Sequence, residues 1–176
     1  MYGIDCPQKH SQGACSGRGC LYPRVCPSLK VDHIRQMRLL SGLRRIPGVK
    51  KVFVASGLRH DLVLADKKNG MAYLRDLVRH SISGQLKIAP EHSEESVLNL
   101  MGKPRPEILL RFRDMFGGMN AQTGQRQFLT YYFIAAHPGC TEEDMRHLKS
   151  FALRELRTTP QQVQIFTPLP STWSAV

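Results

Sequence analysis

The chain has 176 residues and a net charge of +11, from 25 Lys and Arg against 14 Asp and Glu. An apolar share of 41% is enough for one packed domain, and no apolar run approaches the ~20 residues that span a bilayer. Met1 to His10 lacks the apolar region of a secretory leader, so the sequence reads as cytoplasmic and without a membrane partner.

Residues 1–31 are rich in Cys, Gly, Pro and Ser and show no hydrophobic period. They read as an irregular, Cys-rich loop segment. Residues 32–176 form the second unit, in which helical and strand-like stretches alternate. Asp32 caps a helix to about Ile46, with Ile34, Met37, Leu40 and Leu43 as its apolar stripe. Lys51 to Ala55 reads as a buried strand. A helix follows from Met71 to His80, with Leu74, Leu77 and Val78 on one face. Leu86 to Ala89 is a short strand stopped by Pro90. Ser93 opens a helix through Met101, Gly102-Lys103-Pro104 breaks it, and a further helix runs from Pro106 to Met119. Phe128 to Ala136 is the plainest strand. Thr141 and Asp144 have capping-box spacing at the start of a helix to about Arg157. Gln162 to Thr167 alternates as a last strand and ends at Pro168.

About four strands separated by long helical connections predict parallel pairing through crossover helices, an α/β fold. The rhythm alone does not separate a partial (β/α) barrel from an open doubly wound sheet. In either, function gathers where the strands end. Those ends offer Arg59, His60 and Asp61, then Glu91 and His92, then His137, Gly139 and Cys140, then Thr167. Ionisable groups at buried strand ends need partners or ligands. Two of the ends run straight into helix starts that favour anions, although Glu94, Glu95, Glu142 and Glu143 also offset those helix dipoles. Arg59 and Asp61 also suit a local ion pair, His137 a carbonyl-capped ring, and Cys140 an inert thiol. There is no Ser–His–Asp pattern, phosphate loop or Rossmann glycine fingerprint.

Cys6, Cys15, Cys20 and Cys26 crowd the first unit without the paired C-x2-C knuckles of a zinc finger. A metal site of zinc, an auxiliary iron–sulfur cluster and free loop thiols all remain open for them, with His10 or His33 as substitute ligands. The basic charge is compatible with nucleic acid as a partner, but its residues are scattered over helices and net charge alone speaks only to non-specific binding. A Cys-rich, basic, zinc-dependent nucleic-acid-binding module is therefore the alternative reading.

Several stretches resemble YgiQ-type radical S-adenosylmethionine (SAM) proteins: Met1-Tyr2-Gly3 with the Cys-rich loop and Asp32-His33, Val52 to Leu62, Ser83 to His92 with its Leu-Lys-Ile-Ala-Pro-Glu-His core, His137 to Thr141, and Gln162 to Pro168. The likeness covers nearly the whole chain in order. It implies the back section of a (β/α) barrel that, in the complete protein, uses SAM and a [4Fe–4S] cluster to generate a 5′-deoxyadenosyl radical. It also implies that Lys87, Glu91 and His92 contact SAM, that Ile134, Ala135, His137 and Gly139 lie toward its adenine, and that Gln164 and Phe166 add backbone contacts. Arg59 and Asp61 would face substrate or SAM at the same mouth. The family's C-x3-C-x2-C motif is absent from this sequence. The resemblance places that motif, with the first barrel strands, ahead of Met1, so the chain reads as a fragment, inactive alone, whose partner is the N-terminal half of the barrel. The resemblance implies no particular substrate.

Overall fold

The computed structural model describes residues 3–4, 6–13, 15, 19–160 and 162–170. The first unit is not wholly irregular. A short strand β1 (Gly3–Ile4) pairs antiparallel with β2 (Leu29–Lys30), and a six-residue helix α1 (Pro7–Gln12) lies between them. Pro7 suits the first turn of α1, where its missing N–H costs nothing.

Helix α2 (Ile34–Arg44) follows, and the Asp32 carboxylate accepts from the Ile34 N–H at 2.8 Å, two residues inside the expected start. His33, beside it, is held to the turn after the next helix. Its backbone N–H and its Nδ1 both lie within 2.9 Å of Asp66 Oδ2, and its ring stacks on Tyr73 at 4.5 Å. Asp66 Oδ1 accepts from the N–H groups of Lys68 and Asn69, which shapes the entry to the following helix. Burial raises the Asp66 pKa, but these hydrogen bonds outweigh it and hold the group below the ordinary carboxylate value.

The expected strand at Lys51 to Ala55 is not formed. Val54 donates to the Ser81 carbonyl, in the turn ahead of the next strand, so no ladder starts there. The segment pairs only at Leu58, in one parallel bridge to Ile88. Directly after it comes α3 (His60–Ala65), a helix the apolar pattern was too short to signal. Helix α4 (Gly70–His80) then leads into β3 (Gln85–Glu91). Helices α5 (Glu95–Met101) and α6 (Pro106–Thr123) connect β3 to β4 (Phe128–Ala135). Helix α7 (Glu142–Arg154), opened by the Thr141–Asp144 capping box, connects β4 to β5 (Val163–Ile165).

The three long-chain strands form one parallel sheet in sequential order, β3-β4-β5. Leu86 and Ile88 of β3 and Phe133 of β4 pack into one core with Tyr73, Leu74 and Leu77 of α4, Leu109, Phe112 and Phe116 of α6, and Leu148 of α7. The apolar positions of α6 recur at helical spacing, which turns one stripe onto the sheet. Both crossovers therefore pass over the same face, as successive right-handed connections must when strand order never reverses. That arrangement is consistent with the wall of a partial (β/α) barrel. The other face, carrying Lys87, Ala89 and Glu91 of β3 with Thr130, Tyr132 and Ile134 of β4, is left without a helix layer. Among the described residues no helix is long and apolar enough to cross a membrane.

Phe133 is fully buried at the centre of this sandwich. Phe133→Ala is expected to destabilise the fold by about 3–5 kcal/mol, read as a lower urea midpoint with an unchanged slope; a loss under 1 kcal/mol would contradict the packing described.

Candidate functional site

Parallel pairing sends all strand outlets to one edge. Arg59, His60 and Asp61 follow the Leu58 bridge, Glu91 and His92 close β3, Ala136 and His137 follow β4, and Phe166 and Thr167 follow β5. Among these outlets lies a cleft of about 630 Å³, on the face without helices. Its walls include Glu91, Met101, Tyr132, Ile134, His137, Gln164, Phe166, Thr167 and Leu169. The mixture of apolar plates and a few polar groups, at this size, is that of a small-molecule site.

Backbone strain marks the same edge. Glu91 (φ 69°) and Ala136 (φ 57°) both occupy the left-handed region, which non-glycine residues avoid, and they end adjacent strands. Glu91 is reached through a bulge. From Ile88 to Glu91, β3 uses three steps where β4 uses two, Tyr131 to Phe133. The extra residue falls at Ala89-Pro90, where Pro90 has no N–H to give a ladder. The result aims Glu91 into the cleft, where Lys103 Nζ donates to its Oε1 at 2.6 Å.

Of the residues singled out from the sequence, Glu91, Ile134, His137, Gln164 and Phe166 meet in the cleft. His137 Nδ1 lies 2.8 Å from the Pro138 carbonyl, which places its hydrogen on Nδ1, and its ring stands edge-on to Phe166 at 4.8 Å. Gln164 Oε1 accepts from the Tyr132 hydroxyl at 3.1 Å. Ala135 contributes its carbonyl, which accepts from the Phe166 N–H at 2.8 Å and extends the ladder past β5. Gly139 (φ 81°) lies in the left-handed region that favours glycine, and an added Cβ would have to displace the tip of the exposed Leu100 side chain. His92 is buried behind the cleft. Its Nδ1 accepts from the Glu94 N–H at 3.0 Å, so the neutral ring carries its hydrogen on Nε2, 3.6 Å from Cys140 Sγ. Burial pushes the His92 pKa down and, with Asp144, the Cys140 pKa up. The pair is thus a neutral imidazole donating to a thiol. Lys87 stands apart: its Nζ meets Gln162 Oε1 at 3.1 Å in a neighbouring cavity of about 230 Å³ near the strand starts.

Sequence reading missed Lys103, Met101 and Tyr132. Gly102-Lys103-Pro104 reads only as a helix break, and nothing local says that the break brings an ammonium back to Glu91.

At the outer outlet, Arg59 grips Asp61 with two bonds, Nε to Oδ1 at 2.8 Å and Nη2 to Oδ2 at 2.5 Å. Burial raises the Asp61 pKa, but the Arg59 bonds and charge outweigh it and the net shift is downward. His60, between them in sequence, is buried against Phe112. Among the described residues its Nδ1 has no hydrogen-bond partner. Burial first, with Arg59 and Lys103 adding to it and Asp61 opposing, lowers its pKa from 6.5 to about 4.

Cys6, Cys15, Cys20 and Cys26 form no disulfide. Among the described residues no three Cys, His, Asp or Glu side chains stand together as a metal-holding group.

The His60 shift has a pH consequence. The unfolded histidine takes a proton near 6.5 while the folded one resists to about 4. Stability is full above pH 6.5 and falls as pH drops toward 4, by on the order of 3 kcal/mol from this group. His60→Leu should flatten urea-measured stability between pH 6.5 and 4.5 by about 2 kcal/mol relative to wild type; parallel curves would remove His60 as the cause.

No family model matches the chain. Over all 176 residues it is 52% identical to the UPF0313 protein of Fusobacterium nucleatum, covering 31% of that protein. Over 174 residues it is 44% identical to the UPF0313 protein of Methanosarcina acetivorans, covering 23% of it, and 43% identical to that of Thermotoga neapolitana, covering 30%. The chain thus spans less than a third of the length of these curated relatives, and its similarity to proteins of this name runs from end to end of its own sequence.

Proposed function

We propose that this chain forms the SAM-holding wall of a radical SAM enzyme of the YgiQ type. The observation that carries the reading is the convergence of the β3, β4 and β5 outlets on one 630 Å³ cleft whose polar groups are Glu91, His137, Gln164 and Thr167. The YgiQ-type motifs and the end-to-end likeness to UPF0313 proteins run over the same residues.

The cleft fits SAM in size and in chemistry. Ile134, Met101 and Phe166 supply apolar surface for an adenine ring, while Gln164 and the backbone after Ala135 offer hydrogen bonds to its edge. The Glu91 carboxylate suits either the ribose hydroxyls or the cationic methionyl end of SAM. Lys103 holds that carboxylate in place, and the Pro138-Gly139 turn presents His137. His92 and Cys140 support the wall from behind. When bound, SAM supplies a transferable 5′-deoxyadenosyl group. An iron–sulfur cluster finds no ligand set among the described residues, and the sequence has no C-x3-C-x2-C spacing. No radical step is assigned to this chain.

SAM should bind the chain by isothermal titration calorimetry. Glu91→Ala is expected to weaken it about 10-fold or more, the scale of one charge-assisted hydrogen bond. Unchanged affinity in Glu91→Ala, or no heat at millimolar SAM, would overturn the reading.

A further inference from the structure

A second cavity of about 350 Å³ lies outside the cleft, between the first unit and the helices α3 and α6. The chain passes from one cavity to the other along a single connector. Met101 lines the cleft, Lys103 reaches Glu91, and Pro104 and Arg105 line the second cavity. The Cys-rich segment forms its roof and is fixed to the same connector region, since the Tyr22 hydroxyl donates to Asn99 Oδ1 at 2.8 Å. The cavity's interior is apolar, with Leu21, Val25, Leu64 and Ile108 among its walls. Its charged lining is Arg24, Lys67, Arg105 and Arg111 against Asp61 and Glu107, with Arg105 also facing the exposed Glu95 at 3.5 Å. Asp61 is already neutralised by Arg59. The α6 N-terminus at Pro106 opens at the same wall with no side chain capping it, and its positive end is offset in part by Glu107 in the first turn.

We propose that this second cavity binds a small organic anion, with an apolar body against Leu64 and Ile108 and a carboxylate or phosphate head at Lys67, Arg105 and Arg111. An apolar floor alone would take a neutral ligand, and a cationic rim alone would take any dissolved anion; together they select a molecule having both parts. Placed beside the strand outlets and sharing Asp61 with their outer member, the site would hold such a ligand next to the mouth of the cleft. The inference does not depend on SAM occupying that cleft.

The experiment uses octanoate as an apolar carboxylate, octyl phosphate as an apolar phosphate, inorganic phosphate as a head without a body, and octanol as a body without a head. Amide shifts of the isotope-labelled chain are followed without SAM at low salt. Octanoate or octyl phosphate should shift the amides of Leu21, Leu64 and Ile108, and whichever binds more tightly identifies the head. Inorganic phosphate and octanol should each bind at least 10-fold more weakly. The exposed-charge double variant Lys67→Glu/Arg111→Glu should lose at least 10-fold in affinity while keeping its far-ultraviolet circular dichroism. A cavity-filling variant, Ala65→Leu, should lose binding while the surface charges stay intact. Octanol binding as tightly as octanoate, equal affinity in the double variant, or shifts confined to Ile134, His137 and Gln164 would overturn the proposal. SAM calorimetry on the double variant separates the two sites, because loss at the second cavity leaves the cleft's affinity unchanged.

Discussion

Same-sided crossover is the constraint on which the rest of the molecule depends. Because β3, β4 and β5 pair in sequence order and both connections pass over one face, the apolar stripes of α4, α6 and α7 are spent on that face. The core is closed by Leu86, Ile88 and Phe133 against α4, α6 and α7. The opposite face keeps its side chains for something other than packing. Parallel pairing then fixes the second consequence, that charged residues immediately after each strand must share one edge. Fold and site are the outcome of the same choice of connection.

Along that edge the chemistry is arranged as compensated charge. Arg59 neutralises Asp61, Lys103 neutralises Glu91, and His92 is kept neutral by burial beside a protonated Cys140. Pairing keeps the half-buried ions in place and offsets part of the cost of taking them out of water. A ligand with both apolar and polar parts meets groups already oriented, which is the condition for binding without large ordering losses. His60 is the exception: it is buried, neutral, and without a partner for Nδ1 among the described residues.

Much of this was legible in the residues, and the misses have physical reasons. The helices at Met71 to His80 and after Thr141 were readable because their apolar spacing and cap chemistry are local. The strand Phe128 to Ala136 was readable from its run of aromatic and β-branched residues. Lys51 to Ala55 has equally good strand composition, yet its neighbour β3 begins too late in space to pair with it, and composition carries no information on partners. Helix α3 is too short for a period to show. In the site, Glu91 and His137 were reachable because strand ends are sequence properties, whereas Ile134, Gln164 and Phe166 were reached only through the resemblance to YgiQ-type proteins. Lys103 and Tyr132 were not, since one arrives by a turn and the other by sharing a pleat with Ile134. Lys87 lies on the expected face but near the strand starts, a difference of depth that alternation does not encode.

The additional residue at Ala89-Pro90 has an evolutionary corollary. A strand's facing is counted in steps of two, so loss of one codon there would hand Glu91's place to the side that meets the helices and bury an acid among leucines. Replacement of either amino acid leaves the count intact. Lineages carrying this segment should thus tolerate exchange at these two positions far more readily than any change in their number.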